Sequence, residues 1–294
     1  MTTVAYIGAS RGVGFAAYAD LAAARHNIRS VLMLRRPDVL KDSPSYLSLD
    51  ATIKERTTLL MGDAHNSDSI KGLLDECGPD LKVIVFSIGF TPPSGFLAAT
   101  KAIAKGFPID PPDLCSRGFI ILLQALQQRH DSYASKPKIV LVSSMGMGKV
   151  AHGTIPFALR LLYTTVLEHP HADKIAMEVT LSKALLPSSS YPHFFPSPSE
   201  ISPMVTTAGD IDAVISPFIA PQDVCVVRPA LLTDDAAKGK EKYRIIQEGT
   251  GREESSGKGM YSISRKDVGG FIARLLGGDD DVQKWWGCQP VLAY

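Results

Sequence analysis

Apolar residues fall in short, nearly unbroken runs separated by longer mixed stretches. Val4-Ala5-Tyr6-Ile7, Ser30-Val31-Leu32-Met33-Leu34, Thr57-Thr58-Leu59-Leu60-Met61, Lys82-Val83-Ile84-Val85-Phe86-Ser87 and Lys138-Ile139-Val140-Leu141-Val142-Ser143 are five such runs. Each is short for a helix, and turn residues follow several of them, which predicts buried strands. A strand wetted on one face alternates apolar and polar positions. A continuous run marks a parallel sheet covered on both faces. Helix-forming stretches lie between the runs: the Ala-rich Phe15 to Arg25, then Ser69 to Glu76, then the apolar-striped Leu114 to Arg129. Strands and helices in alternation, joined by right-handed crossovers, predict an α/β fold with a doubly wound parallel sheet. The whole chain, 1–294, reads as one such domain.

The second half is less regular. Residues 155–168 and 172–185 read as two helices separated by His169-Pro170-His171. Asp223 to Val227 reads as a sixth strand, closed by Arg228-Pro229. Ser264-Arg265-Lys266-Asp267 has the form of a helix start, with a serine cap and an acid in the first turn, and opens a helix from Arg265 to Leu276. Residues 186–222 are rich in Ser and Pro and carry Tyr191, His193, Phe194 and Phe195. A segment this long without periodicity is either a lid over an apolar substrate or a surface excursion. With the rest of the C-terminal part it is expected to form a small substrate-binding lobe.

Composition narrows the classes. Formal net charge is +1, which gives no support to nucleic acid or an anionic membrane as partner. There is no membrane-length apolar run and no signal-peptide pattern, so a cytoplasmic protein is expected. Cys77, Cys115, Cys225 and Cys288 form no C-x-x-C pair and no zinc-ligand spacing. Reduced thiols and no metal follow. A small-molecule substrate and a monomer or homodimer complete the expectation.

The chemistry sits in Gly8-Ala9-Ser10-Arg11-Gly12-Val13-Gly14, between the first strand and the first helix. Strand, G-x-x-x-G-x-G, helix is the context in which a dinucleotide diphosphate meets a helix N-terminus. Gly8 permits the tight exit from the strand, Gly12 the approach of backbone to phosphate, and Gly14 close helix–strand packing. Ser10, Arg11 and Val13 complete the turn. At the end of the second strand an NAD-binding chain places an acid for the ribose 2′-hydroxyl. Arg35-Arg36 stands there instead, and a guanidinium suits a 2′-phosphate. NADP(H) is therefore expected, with Arg11 near the same phosphate; the alternative is two solvated arginines. Asp63 is placed either for the adenine amine or as a turn or cap residue. Ser87-Ile88-Gly89 ends the fourth strand at the edge where ligands bind in such sheets.

On these residues the chain resembles the short-chain dehydrogenase/reductase superfamily. The glycine turn is close to the form of its tyrosine-dependent members. Later landmarks are similar to its atypical, extended branch, which includes NmrA-like and isoflavone-reductase-like proteins. They are Val142-Ser143-Ser144, then His171-Ala172-Asp173-Lys174 followed by Glu178. Val227-Arg228-Pro229-Ala230-Leu231-Leu232 and Ile263-Ser264-Arg265-Lys266-Asp267-Val268 complete the set. The resemblance covers most of the chain outside 186–222. It implies a Rossmann fold and adds Ala64, Ser143, Pro229 and Leu231 to the cofactor contacts.

One departure matters. Tyrosine-dependent members carry Y-x-x-x-K, in which the tyrosine moves the substrate proton and the lysine holds the nicotinamide ribose. Here Lys174 is present, but Pro170 occupies the tyrosine position. The resemblance to isoflavone-reductase-like enzymes, in which a lysine acts, implies that Lys174 itself supplies the proton; the alternative is a pair with Glu178 one turn on. Ser144 either binds a substrate carbonyl or caps a loop. Tyr163 either faces the cleft or packs in the core. His152 and His193 are loop residues. Three functions are compatible: an NADPH-dependent reductase of a small, mostly apolar carbonyl or conjugated compound in secondary metabolism, a non-catalytic NADP(H)-sensing regulator, or a redox-neutral isomerase or cyclase. Changing Arg35 and Arg36 together to Asp is expected to weaken NADPH binding much more than NADH binding. Titration calorimetry checks this, and equal losses would show that neither arginine reads the 2′-phosphate.

Overall fold

The computed structural model describes residues 1–89, 110–129, 136–147, 167–188, 195–205, 215–247 and 261–294. The first half runs β1 (Thr2–Ile7), α1 (Gly12–Ala24), β2 (Ile28–Leu34), three short helices α2 (Pro37–Lys41), α3 (Pro44–Leu47) and α4 (Ala51–Glu55), β3 (Thr57–Met61), α5 (Ser67–Cys77) and β4 (Leu81–Phe86). The second half runs α6 (Leu114–Gln128), β5 (Lys138–Val142), α7 (Glu168–Ala184), β6 (Val224–Pro229), β7 (Leu231–Thr233), β8 (Arg244–Gln247), β9 (Ser262–Ser264), α8 (Arg265–Gly277), α9 (Asp280–Gln283) and β10 (Pro290–Ala293).

Eight strands form one sheet in the order β3-β2-β1-β4-β5-β6-β10-β8. All neighbours pair in parallel except β8, which runs antiparallel to β10 at the edge. This is the doubly wound Rossmann order, with the switch point between β1 and β4, where ligands bind beyond the carboxyl ends. The five strands expected in the first half are all present. The sixth reaches two residues further, to Pro229. β8 and β10 were not legible as strands: Arg244–Gln247 and Pro290–Ala293 have four residues each, too few to show a period. β7 and β9 pair separately, as a two-stranded parallel sheet.

Side chains along each strand alternate between two cores. Val4, Tyr6, Leu32, Val85 and Val140 pack with Tyr18 and Leu21 of α1 and with Phe271 and Leu275 of α8. Ala5, Ile7, Val31, Ile84 and Leu141 pack with Leu73 of α5, Phe119 and Leu122 of α6, and Met177 and Leu181 of α7. Both sets are apolar because both faces are covered.

Two expectations change. The helix placed at 172–185 begins at Glu168 and takes in Pro170. First-turn N–H groups have no acceptor inside a helix, so a proline there removes no hydrogen bond. The 155–168 helix falls, up to residue 166, outside the described residues. Within 186–222, Phe195 packs on the second core, and Ile201 and Val205 pack on Ile120, Ala172 and Ala176. The Leu186 N–H donates to the Ile219 carbonyl at 2.8 Å, tying the two ends of the segment together. Tyr191, His193 and Phe194 lie outside the described residues, as do Tyr163 and His152.

α1 and α8 touch along their length, and a Cβ on Gly269 would lie 2.4 Å from Ala16 Cβ and 2.7 Å from Ala17 N. Alanine in place of glycine ordinarily stabilises a helix by up to about 1 kcal/mol. Here the atoms it meets include backbone, which cannot turn away, so overpacking wins. Gly269→Ala is expected to lower stability by about 1–3 kcal/mol, read as a shift of the urea midpoint.

Candidate functional site

The glycine turn lies at the switch point. Gly8 has φ +91° and Gly12 φ +67°, the left-handed region open to glycine. A Cβ on Gly8 would stand 2.6 Å from the Ile88 backbone nitrogen, so β4 closes directly on the turn. The Ser87 hydroxyl fills the space beside Gly14 and donates to the carbonyls of Ile7 and Gly8, at 3.2 and 3.3 Å. Ser87 thus fastens β4 to the turn. Gly12 is different: the nearest atoms to a Cβ there belong to the flexible stem of Arg265, from 3.4 Å.

α1 starts without a capping side chain. Its N-cap residue, Arg11, makes no side-chain cap, and its first turn contains no acid. α8 shows the usual solution, with Ser264 Oγ accepting from the Asp267 N–H at 3.1 Å. The uncapped N–H groups and positive helix end of α1 favour an anion. Ser10, Arg11, Arg35 and Arg36 are exposed. Among the described residues, Arg11, Arg35 and Arg36 form no ion pair. β1 and β2 pair with Ile7 opposite Met33, so Arg35 leaves the sheet on the same edge as the turn. Asp63 is exposed beyond β3, and its Oδ1 accepts from the His65 N–H at 3.0 Å. The helix cap there is Asn66, which receives the Ser69 N–H at 2.9 Å. Ala64 is buried in the core beside α5 and α6.

At the other end, α7 reaches under the sheet edge with three buried polar residues, each bonded to a different element. Asp173 takes the N–H groups of Cys115 and Ser116, at 2.7 and 2.9 Å, and the Ser116 hydroxyl at 2.7 Å. It caps α6 from outside, where the N-cap residue Asp113 makes no cap. Lys174 Nζ donates to the carbonyls of Ile88 at 2.7 Å and Val142 at 2.8 Å, bridging the ends of β4 and β5. Glu178 holds Arg228 of β6 through Oε1 to Nε at 3.2 Å and Oε2 to Nη2 at 2.5 Å, both side chains fully buried. The Lys174–Glu178 pair left open by the sequence is therefore not formed: each charge points to a different strand. The lysine is 9% exposed and stands at the ligand edge.

Ser143 and Ser144 follow β5. Ser143 is buried, its N–H donating to the Val227 carbonyl at 2.8 Å, and its hydroxyl has no hydrogen-bond partner among the described residues. Ser144 is half-buried, with Oγ 3.4 Å from His171 Nε2. The Pro229 carbonyl accepts from the Met145 N–H at 3.0 Å, which holds the β6 exit against this loop. Gly89 is exposed and open, and Leu231, on β7, is 41% exposed. Sequence reasoning missed His171 and Arg265. The histidine's signal was its place three residues before Lys174, on the same helix face. The arginine's was its place in the α8 start, which no spacing connects to Gly12.

The cysteines are free thiols. Burial pushes Cys77 up from 9.0 to about 12, and raises Cys115 and Cys225 further. Cys115 Sγ lies 3.4 Å from the Ile88 carbonyl and keeps its proton. Among the described residues there is no cluster of metal-ligating side chains, and no helix is long and apolar enough to cross a membrane.

No family model matches the chain. Reductase pytE of Aspergillus terreus is 26% identical over 280 residues, covering 93% of this chain and 91% of that protein. Oxidase pynE of Aspergillus niger is 28% identical over 302 residues, covering 94% of each. A Serratia marcescens short-chain dehydrogenase/reductase superposes with a TM-score of 0.52 at 11% identity, over 99% of this chain and 95% of that one. The fold is the Rossmann fold, as in that short-chain dehydrogenase/reductase. The relatives named reductase and oxidase match over nearly the full length of this chain.

Removing Glu178 would leave Arg228 charged and buried without its carboxylate. Glu178→Ala is expected to cost about 3–5 kcal/mol. Chemical denaturation followed by circular dichroism measures it; a loss below about 1 kcal/mol would mean that water reaches the guanidinium.

Proposed function

We propose that the chain is an NADPH-dependent reductase of a small, mostly apolar carbonyl or conjugated compound, working in secondary metabolism. The observation that carries this reading is Lys174, held by two strand-end carbonyls at the edge of a sheet whose first helix begins with no capping side chain and no first-turn acid. The relatives named reductase and oxidase support the reaction type.

A nicotinamide dinucleotide fits these residues. The α1 N-terminus and the open Gly12 take the diphosphate, and Gly8, Ser10, Val13 and Gly14 shape the turn that presents them. Arg11, Arg35 and Arg36 take the 2′-phosphate, which selects NADP(H) over NAD(H). Arg265, whose stem lies beside Gly12, adds a guanidinium near the diphosphate. Asp63 keeps one carboxylate oxygen for the adenine amine, and Ala64, Ile88 and Gly89 line the path between. Lys174 turns its remaining donor to the nicotinamide ribose. Ser143, Pro229 and Leu231 border the nicotinamide, and Ser144 offers its hydroxyl to a substrate oxygen. Bound in this way, the reduced nicotinamide supplies a hydride.

Pro170 in place of the usual tyrosine is what favours a second reading, an NADP(H)-sensing regulator without turnover. The test separates the two. NADPH is titrated by fluorescence, and its absorbance is then followed with a panel of ketones, enones and quinones. Binding with turnover supports the reductase. Binding without turnover overturns it in favour of the regulator, and no binding leaves a redox-neutral scaffold. Lys174→Met is expected to weaken NADPH binding about 10-fold or more, the value of one hydrogen bond from a charged donor. An unchanged dissociation constant would remove Lys174 from the cofactor site.

A further inference from the structure

We propose that His171 is the proton donor of the reduction and acts together with the Ser144 hydroxyl on the substrate oxygen. The proposal rests on the reductase reading above and supplies the proton source that Pro170 takes away.

The geometry has four parts. Ser144 lies two residues beyond the end of β5, on the edge of the sheet where ligands bind. Its Oγ stands 3.4 Å from His171 Nε2, close enough for both groups to donate to one substrate oxygen lying beside the pair. Unliganded sites often show such long catalytic contacts, which tighten around the reacting atoms. His171 is in the first turn of α7, where its N–H donates to the Leu167 carbonyl at 2.9 Å, and Pro170 before it has a fixed φ. The ring is thus presented from a rigid element rather than a loop. Finally, positions 170 and 171 lie four and three residues before Lys174, so both are on the lysine's face of the helix. Position 170, where the resemblance expects a tyrosine, holds a proline, and the next position carries an imidazole.

Among the described residues, three neighbouring groups are fixed by contacts of their own. Lys174 is anchored by two backbone carbonyls, which makes it a fixed positioning donor. The Cys115 thiol is buried, bonded to the Ile88 carbonyl and raised in pKa by that burial. Asp173 gives both oxygens to α6. Imidazole changes protonation near neutrality, which suits a group that must give up a proton and regain it.

The step balances as follows. The carbonyl carbon gains a hydride from the reduced nicotinamide, and its C=O π pair passes to the oxygen. That oxygen takes the proton from Nε2 of the imidazolium while the Ser144 hydroxyl donates to it. The carbonyl is reduced to an alcohol and the nicotinamide is oxidised. Neutral imidazole recovers its proton from solvent.

The experiment compares the wild-type chain with His171→Gln and Ser144→Ala. Phenanthrenequinone and the best ketone of the panel serve as acceptors, kcat/KM is measured across pH, and NADPH affinity is measured separately by fluorescence titration. Wild type should lose kcat/KM as pH rises through the imidazole range, because the donor must be protonated. His171→Gln is expected to lower kcat/KM about 100-fold or more and abolish that limb, with NADPH affinity unchanged within about 3-fold. Ser144→Ala, which leaves α7 untouched, should lower kcat/KM and move the midpoint of the His171 ring signal in a proton NMR titration. The proposal is overturned if His171→Gln keeps wild-type activity and the wild-type pH profile. It is equally overturned if that variant's loss follows a matching loss of NADPH affinity, or if the ring signal ignores Ser144→Ala. Absence of turnover by wild type itself sinks the reductase reading and this one with it, and that control tells the two failures apart.

Discussion

A buried ammonium must find acceptors or give up its charge, since stranding it in an apolar interior costs several kcal/mol. Lys174 finds them in the carbonyls of Ile88 and Val142, the backbone groups where β4 and β5 run out of ladder partners. The lysine therefore finishes two strands and fixes their exits relative to α7. Every group proposed for chemistry is referred to this point: Ser144 leaves β5 just beyond it, His171 stands one turn before it, and the glycine turn packs on β4 through Ile88.

Asp173 and Glu178 extend the same logic to either side. One caps α6 and the other neutralises Arg228 inside the sheet, so a single helix ties α6, β4, β5 and β6 together through directional side-chain contacts. The hydrophobic cores stabilise the layers, but apolar contacts have no direction and tolerate slippage. These charged and hydrogen-bonded contacts do not. They set where the strand ends lie, which matters more for a ligand site than for stability.

The glycine-turn end of α1 is arranged the opposite way. Its groups are left unsatisfied: α1 has no capping side chain and no first-turn acid, and three arginines stand exposed around it. Close packing of α8 along α1 keeps this end rigid while leaving it open, with Gly269 set against Ala16 and Ala17. A firm scaffold with unfilled donors is what an anionic ligand needs, because the reorganisation is complete before it arrives.

Periodicity determined the parallel core. Four of the five apolar runs became central strands and the fifth, β3, an edge strand, and the glycines after the first run marked the tight turn into α1, because glycine at a positive φ is a local backbone requirement. Local cues also gave the Ser264 cap and the start of α8. What the sequence left open were relations between distant residues. Whether Lys174 met Glu178 or a strand end depended on where α7 lay against the sheet, and Pro170 looked like a break only until the helix was seen to begin at Glu168. The strands β8 and β10 are too short to carry a period, and they are ordered by pairing rather than pattern. Ser144 and His171 are 27 residues apart in sequence, and only the docking of α7 on the end of β5 brings their side chains together. Spacing along a chain fixes neighbours within one element; the meeting of two elements is decided by packing, which no local pattern encodes.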